Sequence, residues 1–268
     1  MDPSESLPVT IPFADGRSVS GLLRRPAAAK VALVLAHGAG AGMTHPSMQA
    51  LADGLAARSI ATLRYQFPAM EYGGRRPDRP PVAHETVRAA VARAAELLPG
   101  LPLLAGGKSF GGRMTSQAQA LAPLPGVRGL AFFGFPLHPA GQPSDTRADH
   151  LAEVMLPMLF LHGMRDALGE PELLAAVVRR LRPRATLVSF DGADHSFAVA
   201  GANRGRRSAE MLDTVLDAFV QWALPLAASD AAAMAGLFGE LESDESFDWK
   251  DKADRDKAKH KAGRSRQR

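Results

Sequence analysis

The sequence predicts an α/β domain built on a mostly parallel β-sheet. Three observations support this prediction: short apolar runs recur along the chain, helical patterns separate most of them, and the first two runs follow each other without a helix. Strand–helix alternation is typical of parallel strands, whereas two successive strands predict an antiparallel start. With 268 residues, of which 46% are hydrophobic, the chain can bury a full core.

The predicted elements follow in order along the chain, and their periodicity and length distinguish strands from helices. Strands are predicted at Leu7–Phe13, Ser18–Arg24, Val31–Ala36, Ile60–Tyr65, Leu101–Ala105, Val127–Phe135, Met158–His162 and Thr186–Phe190. Helices are predicted at Pro46–Arg58, His84–Leu98, Gly111–Leu121, Pro171–Leu181 and Ser208–Ala223. Because ligands of open α/β sheets bind beyond the carboxyl ends of the strands, we expect functional residues in the loops that follow the strands.

Composition and charge exclude several classes of partner, functional site and cellular location for this protein. The net charge of +4 is small for this length, so no nucleic-acid partner is predicted. The absence of cysteine excludes a disulfide framework, a thiolate metal site and a cysteine nucleophile. The N-terminal segment is polar and acidic, and the apolar run Val31–Ala36 is too short to cross a bilayer. We therefore expect a soluble cytoplasmic protein with no signal peptide and no membrane partner.

The composition changes near Ala227. From Glu240 onward almost every second residue is charged, and the chain ends in the mixed and finally basic run KDKADRDKAKHKAGRSRQR. We expect a folded domain at residues 1–226 and a charged, disordered tail at residues 227–268. A weak electrostatic contact between the tail and nucleic acid or another polyanion is the alternative, and the interspersed aspartates argue against it.

The segment Gly107–Gly111 reads G-x-S-x-G and lies between a predicted strand and a predicted helix. This is the sequence of a nucleophile elbow, a strand-to-helix turn so sharp that the hydroxyl of Ser109 is presented outward. The two flanking glycines are required because a Cβ at either position would collide with the neighbouring strand or helix. Ser109 is therefore the candidate nucleophile.

A serine nucleophile needs a general base, and the base needs a carboxylate that orients it. Among eight histidines, His195 follows the last predicted strand and is the candidate base. Asp166 follows the seventh predicted strand and is the favoured acid. Asp191 and Asp194 compete for that role, but they share the loop of His195 rather than a facing strand end. The order Ser109, Asp166, His195 is that of α/β hydrolases.

Acyl chemistry also needs hydrogen-bond donors for a developing oxyanion. The segment His37–Gly42 reads HGAGAG and follows the third predicted strand, where an oxyanion loop is expected. The backbone N–H groups of Phe110 and Ala39 are the predicted donors of the oxyanion hole.

Two nucleotide motifs compete with this interpretation. Gly107-Lys108-Ser109 matches the end of a phosphate-binding loop, but that motif requires a glycine where Pro102 stands. The HGAGAG segment fails the dinucleotide fingerprint, since Met43 occupies the place of its third glycine. No nucleotide, organic cofactor or metal is predicted.

With these residues in hand, the chain resembles the α/β-hydrolase superfamily, and within it a dienelactone-hydrolase-like branch with testis-expressed-type hydrolase domains. The resemblance covers residues 7–225 and is carried by LAHGAGAGM (35–43), LRYQFP (63–68), RRPDRPP (75–81), GGKSFGGRM (106–114), GFPLHPAGQP (134–143), LFLHGMRDAL (159–168) and GADHSF (192–197). It implies an α/β-hydrolase fold, a mostly parallel twisted sheet of about eight strands with helices on both faces. It also implies Ser109 as nucleophile, His195 as base and Asp166 as acid. Dienelactone hydrolases proper use a cysteine nucleophile, so their substrate is not transferable.

The predicted function is that of a serine hydrolase that cleaves a carboxylic ester, or a related acyl bond, of a small soluble substrate through an acyl-serine intermediate. The alternatives are a catalytically silent binding module with the same fold and a serine peptidase. The sequence leaves the oligomeric state open.

The expected pocket is open. Only 22 residues, Pro136–Pro157, separate the sixth and seventh predicted strands, so no large lid domain is expected. Arg76 and Tyr72 follow the fourth strand, and His138 follows the sixth, so these three side chains are candidate substrate ligands. An arginine of the loop after the fourth strand is the candidate partner for an anionic group of the substrate.

Overall fold

The computed structural model describes residues 5–74 and 76–228. The expected tail at 227–268 therefore lies almost wholly outside the described residues. The fold that follows is that of residues 5–228.

Eight strands of the described chain form one sheet: β1 (Leu7–Pro12), β2 (Ser18–Arg24), β3 (Val31–Ala36), β4 (Ile60–Tyr65), β5 (Leu103–Lys108), β6 (Val127–Phe133), β7 (Met158–Gly163) and β8 (Ala185–Phe190). Their spatial order is β1-β2-β4-β3-β5-β6-β7-β8. β2 is antiparallel to both of its neighbours, and the pairings from β4 through β8 are parallel. The predicted mostly parallel sheet with an antiparallel start is confirmed.

The helices lie between the strands as expected: α1 (Pro46–Ala56), α2 (Pro68–Glu71), α3 (Pro80–Leu97), α4 (Phe110–Leu121), α5 (Pro171–Arg180) and α6 (Arg204–Ala228). A 3₁₀ helix follows β6 at Thr146–Glu153. The sequence did not predict α2 or the 3₁₀ helix, because both are too short to show a helical period. α3 begins four residues earlier than predicted, with prolines at its first positions. Proline is tolerated there because the N–H groups of the first helical turn have no partner within the helix.

Helices cover both faces of the sheet, and the central strands supply side chains to two hydrophobic cores. Every residue of β3 is buried, as expected for a parallel strand with helices on both sides. Ala32 and Val34 belong to the core that also contains residues of α3, α4 and α5. Leu33 and Leu35 belong to the core formed with α1 and α6. No large lid interrupts the fold, because β6 and β7 are joined only by the 3₁₀ helix and its flanking loops.

By length and composition alone, α6 is long and apolar enough to cross a membrane. In the structure its buried residues Val215, Leu216, Phe219 and Ala223 belong to the second core. The helix contacts α1 and the strands β3, β6, β7 and β8. Core packing therefore accounts for its apolar face.

The strand before the candidate nucleophile lies further along the chain than predicted. β5 covers Leu103–Lys108 rather than Leu101–Ala105. Gly106 and Gly107 suggested a loop because glycine is depleted in strands, yet both form the end of β5. The strand therefore runs directly to Ser109 and leaves no loop that could surround a phosphate.

Candidate active site

Ser109 occupies the turn between β5 and α4. Its φ of 51° and ψ of −118° place a non-glycine residue in a sparsely populated backbone region. Two backbone hydrogen bonds hold this conformation: Ser109 N donates to Phe133 O at 3.2 Å, and Arg113 N donates to Ser109 O at 3.1 Å. The turn has the strained strand-to-helix geometry expected of a nucleophile elbow.

The glycines that flank Ser109 are required by close backbone contacts. A Cβ on Gly107 would lie 2.5 Å from Ala36 O, and a Cβ on Gly111 would lie 2.5 Å from His37 O. Both distances are far below van der Waals contact, so β3 and the segment after it could not keep their positions beside a larger residue. The steric reason for the G-x-S-x-G spacing is confirmed.

His195 and Asp166 are brought together by the ends of β7 and β8. His195 Nδ1 lies 2.7 Å from Asp166 Oδ2, and Asp166 Oδ1 accepts a hydrogen bond from Leu168 N at 2.8 Å. A carboxylate only accepts, so the proton between them is on Nδ1 and the lone pair of the ring is on Nε2. Nε2 is buried and has no partner in the described part of the chain.

The two competing carboxylates do not contact the His195 ring. Asp194 Oδ1 accepts hydrogen bonds from Ser196 N at 2.8 Å and Ala198 N at 3.0 Å, which shapes the loop that carries His195. Asp191 is exposed to solvent. Of the three aspartates considered from the sequence, Asp166 alone is hydrogen-bonded to His195 in the structure.

The segment after β3 is fixed by His37. His37 Nε2 accepts a hydrogen bond from Phe67 N at 3.1 Å, so the proton is on Nδ1, which donates to Gly38 O at 2.8 Å. Burial lowers the pKa of this ring, which keeps it neutral in that role. A Cβ on Gly38 would lie 3.7 Å from Ser109 Cβ, so the segment passes directly over the serine.

The two predicted oxyanion donors belong to segments next to Ser109, one following it in the chain and one in the segment after β3. Phe110 begins α4, where backbone N–H groups have no partner within the helix. Ala39 follows Gly38 and is exposed. Neither N–H donates to a protein acceptor within the described residues, so both are free for a ligand.

The hydroxyl of Tyr72, one of the candidate substrate ligands, is bonded to a strand three positions away from β5 in the sheet. Tyr72 is 68% exposed, and its hydroxyl donates to Ser18 O at 3.4 Å. Ser18 begins β2, and β4 and β3 separate that strand from β5. Arg76 is exposed and forms no ion pair with the described residues. The substrate contacts of Tyr72 and Arg76 stay predictions.

His138 has a structural role in the described fold. It is 1% exposed, its Nδ1 lies 2.8 Å from Pro139 O, and its Nε2 contacts Glu170. Leu168 O accepts hydrogen bonds from the backbone N–H groups of Leu137 and His138. These contacts tie the loop after β6 to the segment that follows Asp166, and they leave neither ring nitrogen free for a substrate.

One residue beside the nucleophile was missed by sequence reasoning. Lys108 Nζ donates to His195 O at 2.9 Å and lies 5.8 Å from the centre of the Phe197 ring. Burial lowers the pKa of this ammonium group to about 8. No sequence signal reveals this contact, because it joins residues 87 positions apart.

The described residues bring together no group of three or more histidine, cysteine, aspartate or glutamate side chains that could hold a metal ion. The phosphate-loop alternative requires a flexible glycine-rich loop before Ser109, and β5 occupies those positions. The groups of the candidate site are thus a serine in a strained turn, a histidine hydrogen-bonded to a carboxylate, and two backbone N–H groups that have no acceptor among the described residues.

Comparison with known proteins agrees with this architecture. Residues 29–224 match the family model described as an alpha/beta hydrolase domain, so the chain belongs to the α/β-hydrolase family. Its fold is that of serine hydrolases and esterases of known structure, including a dienelactone hydrolase. This confirms the resemblance at the level of the superfamily.

Three solved structures illustrate the similarity. An alpha-beta serine hydrolase homologue from Coxiella burnetii is 18% identical, with a TM-score of 0.63 over 80% of this chain and 97% of that chain. A dienelactone hydrolase from Anabaena variabilis is 19% identical, with a TM-score of 0.63 over 81% of this chain and 96% of that one. A lidless α/β serine hydrolase from Xanthomonas campestris is 19% identical, with a TM-score of 0.62 over 83% and 97% of the two chains. At this identity the similarity concerns the fold.

Proposed function

We propose that the protein is a serine hydrolase that cleaves a carboxylic ester, or a related acyl bond, of a small substrate through an acyl-serine intermediate. The observation that carries the proposal is the buried Nε2 of His195, which has no partner among residues 5–74 and 76–228 while Asp166 holds the other ring nitrogen. A ring fixed in this tautomer presents a lone pair to a hydroxyl, which is what a general base requires.

The proposed reaction uses Ser109, His195 and the two backbone donors in turn. His195 Nε2 removes the proton of the Ser109 hydroxyl as Oγ attacks the acyl carbon. The N–H groups of Phe110 and Ala39 bind the oxyanion, each contributing roughly 3–4 kcal/mol of transition-state stabilisation. His195 then protonates the leaving alkoxide, and a water molecule, deprotonated by His195, hydrolyses the acyl-serine. The absence of a large lid supports a small, accessible ester rather than a long lipid chain.

An active-site fluorophosphonate tests this proposal against a catalytically silent module. We expect the probe to label the wild-type protein at Ser109, in the tryptic peptide Ser109–Arg113, and to leave Ser109→Ala unlabelled. Ser116 is the matched control, because its hydroxyl also lies 2.8 Å from a histidine nitrogen, that of His150. Ser116→Ala should label normally. A folded wild-type protein that neither labels nor turns over short p-nitrophenyl esters would contradict the proposal and favour a binding module.

Lys108 is assigned a positioning role in this reaction. Its hydrogen bond to His195 O joins the strand before the nucleophile to the loop of the base, so it fixes the base relative to Ser109. A charge-assisted hydrogen bond is about twice as strong as a neutral one. Since the pKa of Lys108 is lowered to about 8, this bond weakens as the pH rises past 8.

Lys108→Met is therefore expected to separate stability from activity. At pH 7 the variant no longer buries an ammonium group, and its melting temperature should rise by about 3 °C. Its kcat should fall about tenfold with little change in KM, and the alkaline decline of kcat near pH 8 in the wild type should be absent. In the wild type the unfolded state binds more protons between pH 8 and the unperturbed lysine pKa, so the free energy of unfolding should rise with pH in that window. Lower stability with unchanged kcat would show that Lys108 is merely structural.

A further inference from the structure

The helix α4, which begins at the elbow, packs against both α3 and the 3₁₀ helix, and each of the three elements carries basic side chains. Arg113 lies in the first turns of α4, Arg147 and His150 lie in the 3₁₀ helix after β6, and His84 lies in the first turns of α3. Each of these elements begins at the carboxyl edge of the sheet, where Ser109 lies. None of the four side chains forms an ion pair with the described residues.

Arg113 differs from the other buried arginines. Four arginines of the described chain have a buried Nε without a hydrogen-bond partner: Arg24, Arg64, Arg113 and Arg184. Three of them bond through another guanidinium nitrogen, Arg24 to Asp53, Arg64 to Met43 O and Arg184 to Ala152 O. Arg113 has no such bond within residues 5–74 and 76–228. Its Nε is buried without a partner, whereas its two terminal nitrogens are not among the buried unpaired atoms and therefore remain accessible to a ligand.

Burial is the main cause that lowers the pKa values of the cluster, and the neighbouring positive charges lower them further. Burial, then the charges of Arg113 and His84, lower the pKa of His150 to about 4. Burial, despite a hydrogen bond to Gln117 at 3.1 Å, also lowers the pKa of His84, and Arg88 and Arg113 contribute. Burial and the charge of Arg147 lower the pKa of Arg113. Repulsion of this kind acts in the absence of a counter-ion, and an anion would relieve it.

The cluster is connected to the candidate nucleophile through α4. Arg113 N donates to Ser109 O, so the two residues are one turn apart. The Cα–Cβ bonds of an α-helix tilt toward its N-terminus, which directs the Arg113 side chain toward the end of α4 where Ser109 lies. Arg147 belongs to the segment after β6, which passes over the same edge of the sheet. The N-terminal end of α4 adds a positive dipole in this region.

We propose that Arg113 and Arg147 form an anion-binding site that receives a carboxylate or phosphate group carried by the ester substrate, with His84 and His150 on its flank. Two guanidinium groups suit this role, because they bind carboxylate and phosphate oxygens through paired N–H donors. This proposal rests on the serine hydrolase function proposed above. It assigns the anion contact to the segment after β6 and to α4, rather than to the loop of Arg76.

The test compares esters that differ only in a terminal charge. Mono-(4-nitrophenyl) esters of adipate, pimelate and suberate are paired with the 4-nitrophenyl alkanoates of the same chain length, in which a methyl group replaces the carboxylate. We expect at least one charged ester to show a kcat/KM at least tenfold above that of its neutral partner. Arg113→Gln and Arg147→Gln should each reduce that ratio to near one, whereas the exposed Arg179→Gln should retain it.

Binding without turnover separates this proposal from the proposed function. In the Ser109→Ala variant, adipate and inorganic phosphate are titrated while the His150 ring is followed by NMR, and a bound anion should raise the pKa of His150. Equal turnover of charged and neutral esters would overturn the substrate site even if the hydrolase itself is active. Phosphate binding without any preference for charged esters would likewise overturn it, in favour of a site for a free anion.

Discussion

Asp166→Asn is expected to lower kcat for ester hydrolysis about 10⁴-fold while leaving KM and the fold nearly unchanged. An asparagine amide would present an N–H to His195 Nδ1, or would hold the ring less strongly through its neutral oxygen. In the first case Nδ1 becomes the acceptor and the proton moves to Nε2, which can then no longer take the proton of Ser109. The loss would appear in kcat because the imidazolium that Asp166 stabilises forms only during the reaction.

The matched control is Asp191→Asn, which removes a carboxylate from the same loop as His195 without touching its ring. The Asp191 side chain is exposed and forms no hydrogen bond with the described residues. The turnover rate of Asp191→Asn should therefore stay within a few-fold of the wild-type rate. Steady-state rates with a short p-nitrophenyl ester measure both variants, and circular dichroism verifies that they fold. Near-normal turnover by Asp166→Asn would transfer the acid role to Asp191 or Asp194.

The sequence predicted the bounds of the strands best where the strands are completely buried. β3 is a continuous apolar run, and its bounds agree with the structure because a strand buried on both faces admits few polar residues. The bounds of β4 also agree, although its buried residues include Thr62 and Arg64. β5 was displaced because its end is built from Gly106 and Gly107. Those glycines are used for close approach: a Cβ on Gly106 would lie 1.9 Å from Ala131 O. The low strand propensity of glycine describes an average strand, and it does not apply to a strand that another backbone approaches closely.

The residues of the site divide in the same way. Ser109, Asp166 and His195 could be found because each follows a strand and the three occur in a characteristic order. The roles proposed for Lys108 and Arg113 could not, since they depend on contacts with residues far away along the chain. For His138 the sequence shows the position after β6 but not the contact that the ring makes, since its partner Glu170 lies 32 positions away.

Gly111→Ala is expected to lower both stability and activity, because the added Cβ would collide with the end of β3 and with the segment that follows it. The new Cβ would lie 2.5 Å from His37 O and 2.6 Å from Ala36 Cβ, so the end of β3 must move away from α4. Overpacking of this kind typically lowers the free energy of unfolding by about 1–3 kcal/mol. The movement also shifts the segment that carries Ala39, and a displacement of about 1 Å at a catalytic donor can lower turnover about 10²-fold.

Gly205→Ala is the matched control for Gly111→Ala. Gly205 lies near the start of α6, and a Cβ there would meet no atom within 4 Å. The same chemical change should therefore stabilise the protein by about 0.4–1 kcal/mol, because alanine restricts the unfolded chain and favours a helix, and activity should not change. Denaturant unfolding gives both free energies, and ester hydrolysis under native conditions gives both rates. If Gly111→Ala has the same free energy of unfolding and the same turnover rate as Gly205→Ala, then α4 and the segment after β3 are not packed as closely as the elbow geometry requires. The outcome thus tests whether the strained turn at Ser109 and the oxyanion segment are held in place by the same backbone contact.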